Sequence, residues 1–233
     1  MVSDEFRADK QIKDLVSNGF KIRTREHFAD NKVIKEILEG PDYYQLPVDS
    51  KIVIDIGAHI GLVSLVMARM GAEVYAFEPE AFNYETLCYN IEINGYKDRV
   101  HCIKLGVGKP GRTKLYVHPE HGGSSSSRLD LRMIKGFEVD KFQMVKMISI
   151  HDVFKNYKIE SCDLLKIDNE GAEKYIIGDF DHELAGKVKQ ISLESHDYGE
   201  KVGQLSKLKE WYNDARTDRA GRIHVLKRKD EYR

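Results

Sequence analysis

The sequence predicts a three-layer α/β domain with a largely parallel sheet, preceded by a helical extension over residues 1–50. Three observations carry this. From Lys51 onward, short β-branched apolar runs alternate with stretches of 3.6-residue period, the pattern of strands and helices taking turns along the chain. The first run passes through a glycine turn directly into a helical stretch. Acidic residues, Asp55, Glu78 and Asp168, recur near the carboxyl ends of the runs, where open parallel sheets bind ligands. With 233 residues the chain can form one substantial core, which residues 51–233 carry.

Taken in order, Asp4 to Ser17 places Phe6, Ile12, Leu15 and Val16 at mixed helical spacing, and Asn18-Gly19 reads as a helix stop. Phe20 to Arg25 reads as extended. Asn31 to Leu38 repeats apolar residues at helical period and ends at Gly40-Pro41, after which Tyr43 and Tyr44 read as packing residues or as the lining of an entrance. Ile52 to Ile56 is a strand buried on both faces, followed by a helix from Leu62 to Met70. Ala72 to Pro79 is the second strand, Ala81 to Asn94 a helix, and Val100 to Gly108 the third strand. Thr113 to Val117 is a further strand. His118 to Arg128, with its serine run, reads as a loop, either a linker or a substrate cover, and His118 and His121 form no metal pair. Phe142 to Phe154 gives a strand and a short helix, and Asp163 to Asp168 is the fourth core strand, followed by a helix opening at Asn169. Lys189 to Glu194 is the fifth core strand, Leu205 to Ala215 a helix, and Ile223 to Leu226 the one strand legible after Trp211.

Composition narrows the function. Lys+Arg total 37 and Asp+Glu 38, so no electrostatic case exists for bulk nucleic-acid or acidic-membrane binding. Cys88, Cys102 and Cys162 lack zinc-ligand spacing, no metal site is expected, and a reducing, cytoplasmic setting fits. The N-terminus is too polar for a signal peptide, and no run approaches the roughly 18 apolar residues of a membrane helix.

The turn after the first strand discriminates between cofactors. A dinucleotide fingerprint needs three glycines at G-x-G-x-x-G, but those places hold Gly57, His59 and Leu62. Asp55 followed by Gly57-x-x-x-Gly61 is similar instead to the first motif of class I S-adenosylmethionine (SAM) methyltransferases. Glu78, one strand-helix unit later, suits the two hydroxyls of a ribose, whichever adenosine cofactor is bound. Leu105-Gly106-Val107 falls where an adenine ring would lie. For chemistry on a hydroxyl, a general base is needed. His196 is the first candidate, on the ground of its titration range, with Glu170 and Asp168 behind it. His196 can equally be a hydrogen-bonded structural histidine, Glu170 and Glu173 can simply favour a helix start, and Asp168 can hold the donor's amino group or a metal, with Glu194 orienting His196.

These residues together resemble the FkbM-type methyltransferases, a class I SAM-dependent family. The resemblance runs from about Tyr43 to His196, through VIDIGAHIG (Val53 to Gly61), FEPEAFNYETLCYNIEIN (Phe77 to Asn94) with its E-P-x-x-x-N and N-x-x-x-N spacing, the GGSSS run, ISIHDVF, LLKIDNEGAE (Leu164 to Glu173) and SLESH (Ser192 to His196). It implies a Rossmann-like class I methyltransferase fold, SAM as methyl donor, and a hydroxyl acceptor on a small molecule, sugar, glycan or polyketide. It also implies cofactor contacts at Asp55, Gly57, Ala58, His59, Gly61, Glu78, Pro79, Asn83, Gly106, Val107 and Asp168. Class I folds usually end in a two-strand hairpin, whereas only one strand is legible here. No N/D-P-P-Y turn follows the fourth strand, where Asp168-Asn169-Glu170-Gly171 stands, and Cys102 and Cys162 are not in loops, so base methylation is not expected. An NAD(P)-dependent oxidoreductase and a SAM-binding module without turnover are the alternatives. The sequence carries no signal of oligomeric state.

Overall fold

The computed structural model describes residues 12–17, 19–25, 30–35, 37, 46, 47, 49–117, 125, 126, 142–195, 201–217 and 223–232. In chain order its elements are β1 (Ile12–Ser17), β2 (Phe20–Arg25), α1 (Asp30–Ile34), β3 (Ile52–Ile56), α2 (Leu62–Arg69), β4 (Glu73–Phe77), α3 (Ala81–Ile93), β5 (Val100–Ile103), β6 (Gly106–Val107), β7 (Gly111–Val117), β8 (Ser125–Ser126), β9 (Phe142–Ile148), α4 (Ile150–Asn156), β10 (Cys162–Ile167), α5 (Glu173–Asp179), α6 (His182–Lys187), β11 (Val188–Glu194), α7 (Lys201–Leu208), β12 (Tyr212–Thr217) and β13 (Ile223–Arg228).

The central sheet has seven strands in the order β12-β13-β11-β10-β3-β4-β5. The five from β11 to β5 run parallel, and β13 and β12 close one edge antiparallel. The apolar runs sit at its centre: Val53, Ile54, Leu164 and Leu165 have no exposure, as strands covered on both faces require. One apolar layer lies between the sheet and α4, α5 and α6, through Val153, Ile176 and Leu184; the other joins Val53 and Val74 to α2, α3 and β2. This is the α/β architecture expected from the alternating pattern.

Four expectations are corrected. Residues 12–17, expected helical, form β1, paired with β2 so that Ser17 faces Phe20, with Gly19 before it at φ 79°. Asn-Gly in a sequence is a hairpin signal as much as a helix stop, and β2 alternates cleanly, burying Phe20, Ile22 and Thr24. The expected third strand divides: β5 ends at Ile103, and Gly106–Val107 leaves to pair with β9 in a separate four-stranded sheet, β6-β9-β7-β8. Within that sheet Ser125 and Ser126 of the serine run pair with Val117 and Tyr116 as strand rather than loop. Finally, the helix expected to reach Ala215 stops at Leu208, and β12 with β13 completes the terminal hairpin. After the buried Tyr212, β12 is exposed throughout, so it carries no apolar alternation for a sequence reading to detect.

Asn90 and Asn94, the N-x-x-x-N pair of α3, clip the hairpin to the domain. Asn90 Oδ1 accepts from Arg23 N at 2.7 Å while its Nδ2 donates to Ile60 O at 2.9 Å. Asn94 accepts from Lys21 N and donates to Lys21 O. Tyr43, Tyr44, His118, His121 and His196 lie outside the described residues.

Candidate cofactor and active site

Four turns follow the carboxyl ends of β3, β4, β5 and β10, and they touch one another in a closed ring. Gly57, after β3, has φ 75°, and a Cβ there would lie 1.8 Å from Asp168 O, after β10. His59 N donates to Glu78 Oε2, after β4, at 2.9 Å. Pro79 packs against Gly106, where a Cβ would come within 3.5 Å of the proline ring and 2.2 Å of Met147 Sδ. Asn169 Nδ2 then donates to Val107 O at 2.9 Å, which returns the ring to the β10 turn. Gly57, His59, Glu78, Pro79, Gly106, Val107 and Asp168 are thereby brought together.

The glycines turn out to have an internal reason. Gly57 makes room for the Asp168 carbonyl, and Gly61 (φ 92°) makes room for Leu87, whose Cδ1 would lie 2.6 Å from an added Cβ. Ala58 N, with Gly57 N, donates to Phe77 O. No side chain caps the N-terminus of α2, and its first turn holds no acid, so its amides suit an external carboxylate.

Asp55 does not open onto the ring. It is fully buried beneath the turn, accepts from Ser64 Oγ at 2.7 Å and pairs with Lys166 Nζ at 3.2 Å. Lys166, which the sequence reading passed over, also donates to Gly57 O at 2.7 Å and lies 3.6 Å from Asp168 Oδ2. Burial by itself lowers the ammonium's pKa, but the carboxylates of Asp55, Asp168 and Glu194 outweigh it and hold the pKa above its ordinary value. Lys166 thus ties the β3 turn to the β10 turn from below. Its signal in the sequence was a single charge inside the otherwise apolar LLKI.

Glu78 stands directly after β4, at the strand's carboxyl end. Its oxygens take Glu80 N and His59 N, each at 2.9 Å, which leaves lone pairs for further donors. Burial pushes its carboxyl up to about 8, against those backbone bonds and a bond from the Asn83 side chain. Glu80 caps α3 by accepting from Asn83 N at 2.6 Å, and Gln143 of β9 holds that cap, accepting from Ala81 N and donating to Glu80 Oε1. Nothing in the sequence pointed to Gln143.

Among the described residues, three non-glycines have positive φ, and two of them, His59 (53°) and Glu170 (54°), stand in adjacent turns of the ring. Left-handed backbone at such residues costs about 1–2 kcal/mol each and gathers at functional sites. His59 Nε2 lies 3.6 Å from the buried Asp30 of α1, so the segment before the domain reaches the ring. Glu170 and Gly171 turn the chain before α5, and Gly171 N donates to Glu173 Oε1. Two acceptors at the ring, Asn83 Oδ1 and Asn169 Oδ1, are buried and have no hydrogen-bond partner among the described residues.

Residues 55–216 match the family model described as the methyltransferase FkbM domain. The chain is 28% identical over 184 residues to the methyltransferase sdnD of Sordaria araneosa, covering 66% of this chain and 69% of that protein. It is 23% identical over 178 residues to the 31-O-demethyl-FK506 methyltransferase FkbM of Streptomyces tacrolimicus, covering 66% and 68%. The crystal structure of a methyltransferase FkbM from Methylobacillus flagellatus KT aligns with a TM-score of 0.48 and 16% identity, over 86% of this chain and 56% of that one.

Proposed function

As the chain belongs to the FkbM family of SAM-dependent methyltransferases, we propose that it methylates a hydroxyl on a small molecule, sugar, glycan or polyketide, with the ring of four turns as its donor site. The family match and the class I fold carry SAM as cofactor; the relative that acts on 31-O-demethyl-FK506 supports an oxygen acceptor. The closed ring is the observation that supports the site.

The residues present fit SAM in three respects. Glu78 offers carboxylate lone pairs for ribose hydroxyls, the uncapped amides of α2 suit a carboxylate, and Asn83 and Asn169 present buried acceptors that need donors. When bound, SAM supplies an electrophilic methyl on a sulfonium. The chain's part is to align an acceptor oxygen with it and to take the hydroxyl proton. In this reading Ala58, His59 and Gly61 shape the methionine end, Pro79, Gly106 and Val107 flank the base, and Asp55 acts from beneath through Lys166. Asp168 faces the donor's ammonium or the acceptor hydroxyl. His196 is the first candidate for the base and Glu170 the second. No helix among the described residues is long and apolar enough to cross a membrane.

Calorimetry on the full chain tests the donor: SAM is expected to bind and NAD not to, and Glu78→Ala is expected to weaken SAM at least about tenfold, the worth of a charge-assisted hydrogen bond. NAD binding in place of SAM would overturn the proposal. Incubation with labelled SAM and pools of hydroxylated acceptors tests turnover, which His196→Ala and Glu170→Gln are expected to suppress.

A further inference from the structure

We infer that Asn169 is a specificity-determining residue that accepts a hydrogen bond from the exocyclic amine of the donor's adenine, an inference that rests on the SAM reading above. Asn169 stands directly after β10, and its Nδ2 donates to Val107 O at 2.9 Å. Only an N–H can face a carbonyl at that distance, so the usual ambiguity between amide nitrogen and oxygen does not arise: Oδ1 is fixed as an acceptor pointing away from Val107. That oxygen is buried and has no hydrogen-bond partner among the described residues. Burying it unpaired is unfavourable, and an N–H or O–H donor from a ligand would relieve it.

Position around the ring selects which donor. Glu78 suits the ribose hydroxyls, and Pro79, the next residue, packs against Gly106. Val107 follows, and Asn169 is bonded to it, so passing around the ring from Glu78 the next side chain that presents an acceptor beyond Gly106–Val107 is Asn169. The remaining donor of SAM, its ammonium, is better served by the neighbouring carboxylate of Asp168, because hydrogen bonds between ionised partners are the stronger ones. The competing acceptor is Asn83 Oδ1, also buried and unpartnered among the described residues, but the Asn83 side chain donates to Glu78, which puts it on the ribose side.

The test compares S-adenosylhomocysteine with S-inosylhomocysteine, in which a carbonyl oxygen replaces the amine, by calorimetry on the full chain. The unmodified protein is expected to favour the adenosyl compound by about 10- to 100-fold, the range for one hydrogen bond to an otherwise unpaired buried acceptor. Asn169→Ala is expected to bring the two within about threefold, while Asn83→Ala keeps the preference; thermal unfolding of each variant checks that it is folded. Equal binding of both compounds by the unmodified protein overturns the inference with no variant needed. So does loss of the preference in Asn83→Ala with retention in Asn169→Ala. If neither compound nor SAM binds the unmodified protein, the SAM reading itself has failed.

Discussion

The turns after β3 and β10 lie side by side, each holds a non-glycine residue in left-handed backbone, and they differ in what their atoms face. The β3 turn is bonded to the protein at nearly every point. Gly57 meets Asp168, Ala58 N meets Phe77 O, His59 N meets Glu78, and Gly61 meets Leu87. The β10 turn instead presents Asn169 Oδ1 without a protein donor among the described residues, with the partly exposed Asp168 carboxylate beside it. Glycines in the first turn mark where the chain packs on itself, whereas its neighbour keeps a buried acceptor that no described residue satisfies.

The two turns meet most closely where Gly57 faces the Asp168 carbonyl. Gly57→Val would force a side chain into the Asp168 carbonyl at a φ of 75°, and a loss of more than about 4 kcal/mol, or failure to fold, is expected. A urea midpoint close to that of the unmodified chain would show that the two turns are not fused.

Lys166→Met tests the link from below. Removing one member of a buried ion pair costs about 3–5 kcal/mol, whereas Lys166→Met with Asp55→Asn should recover part of that, since neither charge is then left alone. Denaturant titration of the three proteins decides it; a double variant no better than the single would remove Asp55 as the partner that matters.

Glu78 gives the comparison a pH dependence. Its folded pKa, about 8, exceeds its ordinary value of 4.5, so between those values the folded ligand-free chain binds more protons than the unfolded one. Its contribution is complete below about pH 4.5 and is lost as pH rises toward 8, by at most about 1.4 kcal/mol per pH unit. Glu78→Gln should flatten stability measured between pH 5 and 8, and an unchanged slope would assign the dependence to other groups.

Gly61→Ala should have the smallest effect, about 1–2 kcal/mol in thermal unfolding, because its added methyl meets the end of the flexible Leu87 side chain rather than backbone. A loss equal to that at Gly57 would show that both glycines are held alike.

The central strands were legible in the sequence because burial on both faces demands apolar runs such as the β-branched Ile52–Ile56 and the leucine-centred Cys162–Ile167. Both ends of the chain were harder. Asn18-Gly19 serves a helix stop and a hairpin equally well, and only the alternation of Phe20, Ile22 and Thr24 decides between them. Edge strand β12 buries little beyond Tyr212. In the site, Glu78 was readable from its place at a strand end. Lys166 and Gln143 were not, since their roles depend on neighbours distant in sequence: Asp55 and Gly57 for one, Glu80 and Ala81 for the other. Asp55 was noticed for its motif, but its orientation toward Lys166 and Ser64 is a property of the packed sheet.

Asn90 bonds β2 on one side and the carbonyl of Ile60, inside the turn after β3, on the other. Phe20 and Ile22 share an apolar cluster with Val53 and Leu65. The change of sequence pattern at Lys51 is thus no seam in the packing. A protein expressed from that residue would lose a wall of its own core and the strand that Asn90 grips, and the turn after β3 would soften although none of its own residues had been removed, so binding experiments with shortened versions should retain residues 12–50.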